Sequence, residues 1–237
     1  MSWWSVSPGK VLRPLYVHQH VNALTLGILG AGRVGTSVAR AALKAGYAVN
    51  IAGSGPARDI SLIVEVVVPG ARAVSAAEAV ESADIVVLAL PLHKYRSLDP
   101  ALLVGKVVID AMNYWAPIDG TQDDFESGTS SETIAEYLPG ARLVKTLNHI
   151  GYHELEAEDL PAGDPSRRAL AVASDDADAA ELVMDLINNL GYDPINAGPL
   201  AAGAAFQPGT TIFGAAHRAP DMQAELSRFA DEAAVAA

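Results

Sequence analysis

The sequence predicts an α/β fold: a Rossmann-type, doubly wound parallel sheet followed by a small C-terminal α/β domain. Apolar runs alternate with helical patterns along residues 26–146, which is typical of strand–helix–strand units. The run DIVVLAL at 84–90 is apolar at all but its first residue. A continuous apolar run of this length indicates a strand that is buried on both faces of a parallel sheet.

The most informative stretch is Leu26–Gly35, LGILGAGRVG, in which apolar residues lead into a G-x-G-x-x-G and then a helical pattern. Gly30 allows a sharp turn out of the strand, Gly32 leaves room for a pyrophosphate, and Gly35 lets the helix approach the sheet. The helix N-terminus offers unpaired N–H groups to phosphates. This context favours a dinucleotide site over a purely structural glycine turn. The residues predicted to contact the cofactor here are Gly30, Ala31, Gly32, Arg33, Val34 and Gly35.

The loop after the second strand, 47–52, indicates which dinucleotide binds. An NAD site usually has a carboxylate there for the ribose 2′-hydroxyl, but residues 1–58 contain six basic and no acidic side chains, against ten basic and 28 acidic in the rest. A 2′-phosphate would be bound by the Ser54 hydroxyl and by Arg33 or Arg58. The sequence therefore predicts NADP(H); the alternative is a neutral loop that binds no 2′-phosphate.

The remaining elements of the first domain follow in order. Ser75 and Glu78 form a predicted capping box at the start of a helix, and each later strand ends in polar or proline residues. The predicted strands are 71–74, 84–90, 106–110 and 141–146, and the predicted helices are 60–68, 76–82 and 129–138.

Beyond Gly151 the pattern changes. An acidic cluster (Glu154, Glu156, Glu158 and Asp159) and a loop at 161–165 precede a strand at 168–173, an amphipathic helix at 175–190 and a strand at 192–196. A loop-rich tail ends in a helix at 221–234. We expect residues 1–22 to be an N-terminal extension, 23–150 the NADP-binding domain, and 151–237 a small substrate-side domain lying over the nucleotide site.

Composition excludes several classes of function. A net charge of −12 argues against nucleic acid or an anionic membrane as the main partner, and the absence of cysteine excludes thiolate chemistry. No apolar run approaches a membrane span, so the sequence predicts a cytoplasmic enzyme with small-molecule substrates. The apolar residues of 1–22 and the last helix suggest a homodimer. His18 and His20 are interpreted as a structural pair, and no metal site is predicted.

Polar and proline residues follow three predicted strands where ligands bind in this fold. Asn113 and Asn148 are expected to bond the nicotinamide carboxamide or ribose, the alternative being loop capping. His93 either contacts the ribose or faces solvent. His149 would donate a proton if the substrate were a carbonyl; otherwise it is a positioning or core histidine.

Taken together, the motifs resemble a known family. GILGAGRVG, Ser54, ALPL at 89–92, DAMN at 110–113, LVKTLNHIG at 143–151 and GYDPINAGPL at 191–200 are similar in order and spacing to the NADP-dependent oxidoreductases of the deazaflavin coenzyme F420. The resemblance covers about residues 24–214. Its departure is that Gly55, rather than arginine, follows Ser54, so that Arg58 is expected to replace that arginine.

The resemblance implies hydride transfer between NADP(H) and coenzyme F420, with the two rings stacked in a cleft between the domains. Two alternatives remain: an NADPH-dependent imine or carbonyl reductase, and a non-catalytic NADP(H)-binding sensor. On the NADP side the resemblance places Gly30–Gly35, Ser54, Arg58, Leu90, Pro91, Leu92 and His93. On the deazaflavin side it places Asn148, His149, Ile150, Pro199 and Leu200.

Overall fold

A computed structural model describes residues 24–115, 119–120, 125 and 129–236. Eight strands form one sheet in the order β3-β2-β1-β4-β5-β6-β7-β8. The N-terminal extension predicted at 1–22, with His18 and His20, lies outside the described residues. The strands are β1 (Thr25–Leu29), β2 (Ala48–Ala52), β3 (Arg72–Ala73), β4 (Ile85–Leu88), β5 (Val107–Asp110), β6 (Arg142–Lys145), β7 (Ala169–Ala173) and β8 (Asp193–Gly198).

Helices connect these strands and cover both faces of the sheet. The capping box predicted for Ser75 and Glu78 is formed, and a second one joins Thr129 and Glu132. Short 3₁₀ segments follow β2, β4 and β8, at Ala57–Asp59, Leu92–Ser97 and Leu200–Phe206. The α-helices among the described residues are α1 (Arg33–Lys44), α2 (Ser61–Val67), α3 (Ala76–Glu81), α4 (Pro100–Leu103), α5 (Ser130–Tyr137), α6 (Glu154–Ala157), α7 (Ala177–Asn189) and α8 (Ala219–Ala236).

The predicted doubly wound sheet is confirmed. Strands β1 to β6 pair in parallel, and neighbouring residues of β1 alternate between two cores. Ile28 packs with α1 on one face, and Leu29 packs with α3 and α5 on the other. This alternation is what a strand buried on both faces requires.

The C-terminal strands continue the same sheet. Strand β7 is antiparallel to β6 through the pair Lys145 and Ala173, and β8 runs parallel to β7. The 3₁₀ segment after β8 and helix α8 cover these strands, with Phe206 and Met222 fully buried. The division of the chain at residue 150 stays a prediction.

The acidic cluster at 154–159 lies partly in a helix. Residues 154–157 form the short helix α6, which lies along α1. Arg40 Nε lies 2.7 Å from Glu156 Oε2, and Lys44 Nζ lies 2.7 Å from Asp159 Oδ1. Glu156 and Asp159 therefore pair with cations of α1, whereas the Glu158 carboxylate lies 2.8 Å from Arg168 Nη1. In the part of the chain that the structure describes, no helix is both long and apolar enough to cross a membrane.

Candidate functional site

The glycine turn between β1 and α1 shows why each glycine is needed. Gly30 has a φ of 127° and donates its N–H to Ala52 O at 2.8 Å. A Cβ on Gly30 would lie 2.3 Å from Ala89 O, and one on Gly35 would lie 1.8 Å from Gly30 O. A Cβ on Gly32 would meet no atom within 4 Å. The protein itself requires Gly30 and Gly35, whereas the space beside Gly32 is free for a ligand.

The first turn of α1 borders this open space. Gly32 is the N-cap and supplies no capping side chain, and the first turn contains no acidic residue. Its N–H groups and the positive end of the helix dipole therefore favour an anion here. Ala31 is half-buried, while Gly32, Arg33 and Val34 are exposed beside the turn.

The loop after β2 presents the residues predicted to bind a 2′-phosphate. Ser54 is exposed, and the Arg58 side chain is 86% exposed. The carboxylate of Asp59, the first acidic residue of the chain, lies 3.7 Å from Arg58 and would lie 2.9 Å from a Cβ on Gly55. The sequence did not predict this pairing. Because this ion pair is exposed, it stabilises little, and a phosphate dianion can compete for the arginine.

The four residues after β4 that were predicted to contact the cofactor differ in their exposure. Leu90 is half-buried and Pro91 is exposed, but the Leu92 side chain is buried in the core. A side-chain contact from Leu92 to a cofactor is therefore wrong. His93 Nδ1 lies 2.9 Å from Oδ1 of the buried Asp119, and the histidine side chain remains 34% exposed. This places a half-exposed histidine, oriented by a carboxylate, at the ligand-binding edge of the sheet.

A buried ion pair closes the ends of β5 and β6. Lys145 Nζ lies 3.1 Å from Asp110 Oδ2, and neither side chain is exposed. The ammonium also donates to Met112 O, while Asp110 accepts from Ser131 Oγ at 2.7 Å and Met112 N at 3.0 Å. Burial lowers the pKa of Lys145, and the adjacent Asp110 carboxylate opposes this shift. Lys145 is therefore enclosed at the end of β6 and does not reach the surface.

Asn113 and Asn148, which follow β5 and β6, are hydrogen-bonded to each other. Asn113 Nδ2 donates to Asn148 O at 2.7 Å, and Asn148 Nδ2 donates to Asn113 Oδ1 at 3.0 Å and to Phe206 O at 2.9 Å. The amide groups thus join the segments after β5, β6 and β8. These bonds are consistent with the loop-capping alternative, while a contact with the nicotinamide carboxamide or ribose stays a prediction. Asn148 is buried, and Asn113 is partly exposed.

His149 is a buried, neutral positioning residue. Its Nε2 accepts from Ala171 N–H at 3.0 Å, so the ring proton is on Nδ1, which donates to Asn148 Oδ1 at 3.2 Å. Burial is the main cause that lowers its pKa to about 3, and the nearby charges of Arg168 and Lys145 add to this. An imidazole with this pKa and with both nitrogens engaged is not a proton donor at neutral pH, so the predicted catalytic role is wrong.

The other residues placed on the deazaflavin side are mostly enclosed. Ile150 and Leu200 are buried in the cores, and the Leu200 N–H donates to Asp175 Oδ1 at 2.9 Å. Side-chain contacts from Ile150, Leu200 or His149 to an open cleft are therefore contradicted, and Pro199 alone of these four is exposed.

Leu147 has a φ of 64°, an uncommon conformation for leucine, at the turn where the chain leaves β6.

The described residues contain no cluster of metal-ligand side chains, and a cavity at the end of α1 lies apart from the glycine turn. The described residues include no group of three or more side chains of the metal-ligand type. A cavity of about 550 Å³ lies between the end of α1 and the end of α7. Its cations, Arg40 and Lys44, are already paired with acids. This cavity is lined by the last turns of α1 and is separate from the glycine turn.

Comparison with known proteins agrees with this geometry. Residues 25–114 match the model of the family described as NADP oxidoreductase, coenzyme F420-dependent. The resemblance inferred from the sequence is confirmed over these residues. The matched segment runs from β1 to the residue after Asn113, and so contains the glycine turn, the Ser54 loop and the ends of β4 and β5.

Solved structures share the fold over most of the chain. A hypothetical protein from Sinorhizobium meliloti is 27% identical with a TM-score of 0.69, covering 81% of this chain and 94% of its own. A provisionally assigned F420-dependent NADP reductase from Arthrobacter sp. FB24 is 23% identical with a TM-score of 0.63, covering 75% of this chain and 86% of its own. At that identity the second likeness shows the fold alone.

A curated relative is the metalloreductase STEAP3 of Rattus norvegicus, 26% identical over 179 residues, which are 75% of this chain and 34% of the relative. The chain thus spans about a third of the length of that relative. The comparisons show similarity to the F420-dependent NADP oxidoreductase family over residues 25–114 and a shared fold over most of the chain.

Proposed function

We propose that this protein transfers a hydride between NADP(H) and a deazaflavin of the coenzyme F420 type. The observation that carries the proposal is the open face of Gly32 at an uncapped, acid-free helix N-terminus, within the segment that matches the F420-dependent family. The glycine turn supports binding of the pyrophosphate. The exposed Ser54 hydroxyl and Arg58 guanidinium support recognition of the 2′-phosphate.

The buried residues at the ends of β5 and β6 support a ring system, such as a deazaflavin, as the hydride acceptor. Asp110, Lys145 and His149 are buried and engaged in hydrogen bonds within the protein. Hydride transfer between two rings depends mainly on their positioning and on exclusion of water. A rigid, internally satisfied layer of asparagines and buried ions suits that task, because it holds the strand ends without offering a reactive proton.

The test is to mix the purified protein with NADPH and coenzyme F420, with NADH as the control, and to follow the deazaflavin absorbance. We expect bleaching with NADPH and much less with NADH. Tight NADPH binding without bleaching, measured by nicotinamide fluorescence, would remove the deazaflavin but keep the nucleotide site. If no acceptor from a panel of flavins, quinones, imines, carbonyls and ferric chelates were reduced, the NADP(H) sensor would become the better interpretation.

One observation favours the imine or carbonyl reductase as the second candidate. His93 is half-exposed, and its Nδ1 lies 2.9 Å from Asp119 Oδ1, which makes Nε2 the ring nitrogen that does not contact this carboxylate. Such a histidine can give a proton to the nitrogen or oxygen of a reduced substrate. If an imine or carbonyl is the true acceptor, His93→Gln should lower kcat at least about 100-fold and change the affinity for NADPH much less; deazaflavin reduction should be far less sensitive.

The cellular setting is part of the same proposal. We propose small-molecule substrates, a homodimer and a cytoplasmic location, with residues 151–237 on the substrate side. The exposed apolar residues of α2, with Leu62 at 71% and Val66 at 70%, support a further contact of this chain. Sedimentation of the full-length protein tests the dimer, for which a monomer at all concentrations would be the contrary result.

A further inference from the structure

Arg33, the first residue of α1, is held by an aromatic residue from a distant part of the chain. Its Nη1 donates to the Tyr152 hydroxyl at 3.2 Å, and its guanidinium carbon lies 5.8 Å from the centre of the Tyr152 ring. Tyr152 follows β6, so 119 residues separate the two in sequence. Arg33 itself is exposed, which leaves the rest of its guanidinium free to meet a ligand beside Gly32.

Tyr152 is in turn anchored to the helix that carries Arg33. The carbonyl of Tyr152 accepts from Ser37 Oγ at 2.7 Å, and Ser37 is fully buried. The tyrosine ring also contacts the ring of His153, with centres 4.2 Å apart. Because the backbone of Tyr152 is fixed one turn along α1 from Arg33, its hydroxyl is a defined partner and not a chance surface contact.

The strand order decides which phosphate Arg33 can meet. Strand β2, which precedes the loop with Ser54 and Arg58, lies on one side of β1, whereas β4, β5 and β6 lie on the other. Tyr152 follows β6, so its contact with Arg33 ties the guanidinium to the segment after β6 and not to the predicted 2′-phosphate loop. The remaining anion within reach of a group at the first position of α1 is the pyrophosphate against Gly32.

We propose that Tyr152 is a positioning residue that orients Arg33 onto the pyrophosphate, the part that NADP(H) and NAD(H) share, and that Arg33 does not select for the 2′-phosphate. This rests on the proposed function, since it assumes a dinucleotide at the glycine turn. A planar guanidinium binds phosphate oxygens in pairs and loses less on binding when it is already oriented. The sequence-based choice between Arg33 and Arg58 for the 2′-phosphate is thereby narrowed to Arg58.

The experiment measures dissociation constants of NADPH and NADH by nicotinamide fluorescence for full-length variants. Arg33→Met should weaken both nucleotides by about the same factor, on the order of tenfold. Tyr152→Leu should weaken both about threefold or more, and Tyr152→Phe less than Tyr152→Leu because the ring remains. Adding Tyr152→Leu to Arg33→Met should have almost no further effect, because residues that act through one contact are not additive.

Controls separate this inference from the proposed function. Tyr47→Leu removes an equal aromatic ring, partnered by Asn189 at 2.8 Å, before β2 begins and should leave both affinities unchanged. A larger loss for NADPH than for NADH in Arg33→Met, or a full additional loss in the double variant, would overturn the inference while the nucleotide site stands. If the wild type bound neither nucleotide, the proposed function would fail together with it. Binding without F420 reduction would leave the inference intact.

Discussion

The turn after β1 and the buried residues at the ends of β5 and β6 lie at the same edge of the sheet but differ in their accessibility to a ligand. The turn is open: a Cβ on Gly32 would meet no atom within 4 Å, and Arg33 and Arg58 are exposed. The β5–β6 layer is closed, with Lys145 and Asp110 fully buried and paired. A ligand can therefore be bound by backbone groups and exposed cations on one side, while the other side contributes rigidity.

The largest expected effect separates two glycines of the open region. Gly35→Val places its Cβ 1.8 Å from Gly30 O, so we expect a loss of more than about 4 kcal/mol in the free energy of unfolding, or no folded protein. Gly32→Val meets no protein atom within 4 Å and should change stability by less than about 1 kcal/mol, yet abolish nucleotide binding. Urea unfolding and NADPH fluorescence measure the two effects.

This contrast is the sharpest check on the open region. A Gly32→Val protein that stays folded and still binds NADPH would show that the pyrophosphate does not lie against this turn. The Gly35→Val variant serves as the matched control, because it alters the same loop with the opposite expected readout.

The next effect concerns the closed region. Lys145→Met leaves the Asp110 carboxylate buried without its cation, which should cost about 3–5 kcal/mol of stability. The double variant Asp110→Asn/Lys145→Met removes the stranded charge and should recover part of that loss, about half, since Asn keeps an acceptor for Met112 N. Chemical denaturation of the three proteins tests this; equal losses in the single and double variants would show that charge is not the cause.

A smaller effect in the same region depends on pH. His149 is buried neutral with its pKa lowered to about 3, against about 6.5 in the unfolded chain. Between these values the unfolded state binds the extra proton, so stability is complete above about pH 6.5 and falls as the pH is lowered. From pH 7 to pH 5 the loss should be about 2 kcal/mol. His149→Gln, though less stable overall, should lose less over this interval, and an identical slope would assign the pH dependence to other groups.

The smallest effect should appear in the exposed 2′-phosphate loop. Ser54→Asp adds a carboxylate where we expect the 2′-phosphate, and should weaken NADPH about tenfold or more through like-charge repulsion. NADH should change little, and stability hardly at all, because Ser54 is exposed. The ratio of the two dissociation constants is the readout; equal weakening of both nucleotides would remove the argument for NADP(H) at this loop.

The sequence by itself determined the parallel sheet, its strand–helix alternation and the need for glycine at Gly30 and Gly35. These are local or periodic properties: an apolar run reports burial, and a glycine between strand and helix reports a backbone conformation. The capping box at Ser75 and the strand from 106 to 110 were predictable for the same reason. The contact of Gly32 with a pyrophosphate stays a prediction.

Only the tertiary structure decided what the polar residues at the strand ends do. Asp110 and Lys145 carry no local signal for pairing, but they lie at the same register of neighbouring strands. His149 was placed correctly after β6, yet its partner is Ala171, which lies in the strand predicted at 168–173. No pattern in the sequence predicted that this strand pairs antiparallel with β6. The partnership of Arg33 with Tyr152 arises in the same way. Burial and hydrogen bonding between distant segments are set by packing, and they convert residues that look reactive in the sequence into supports for the site.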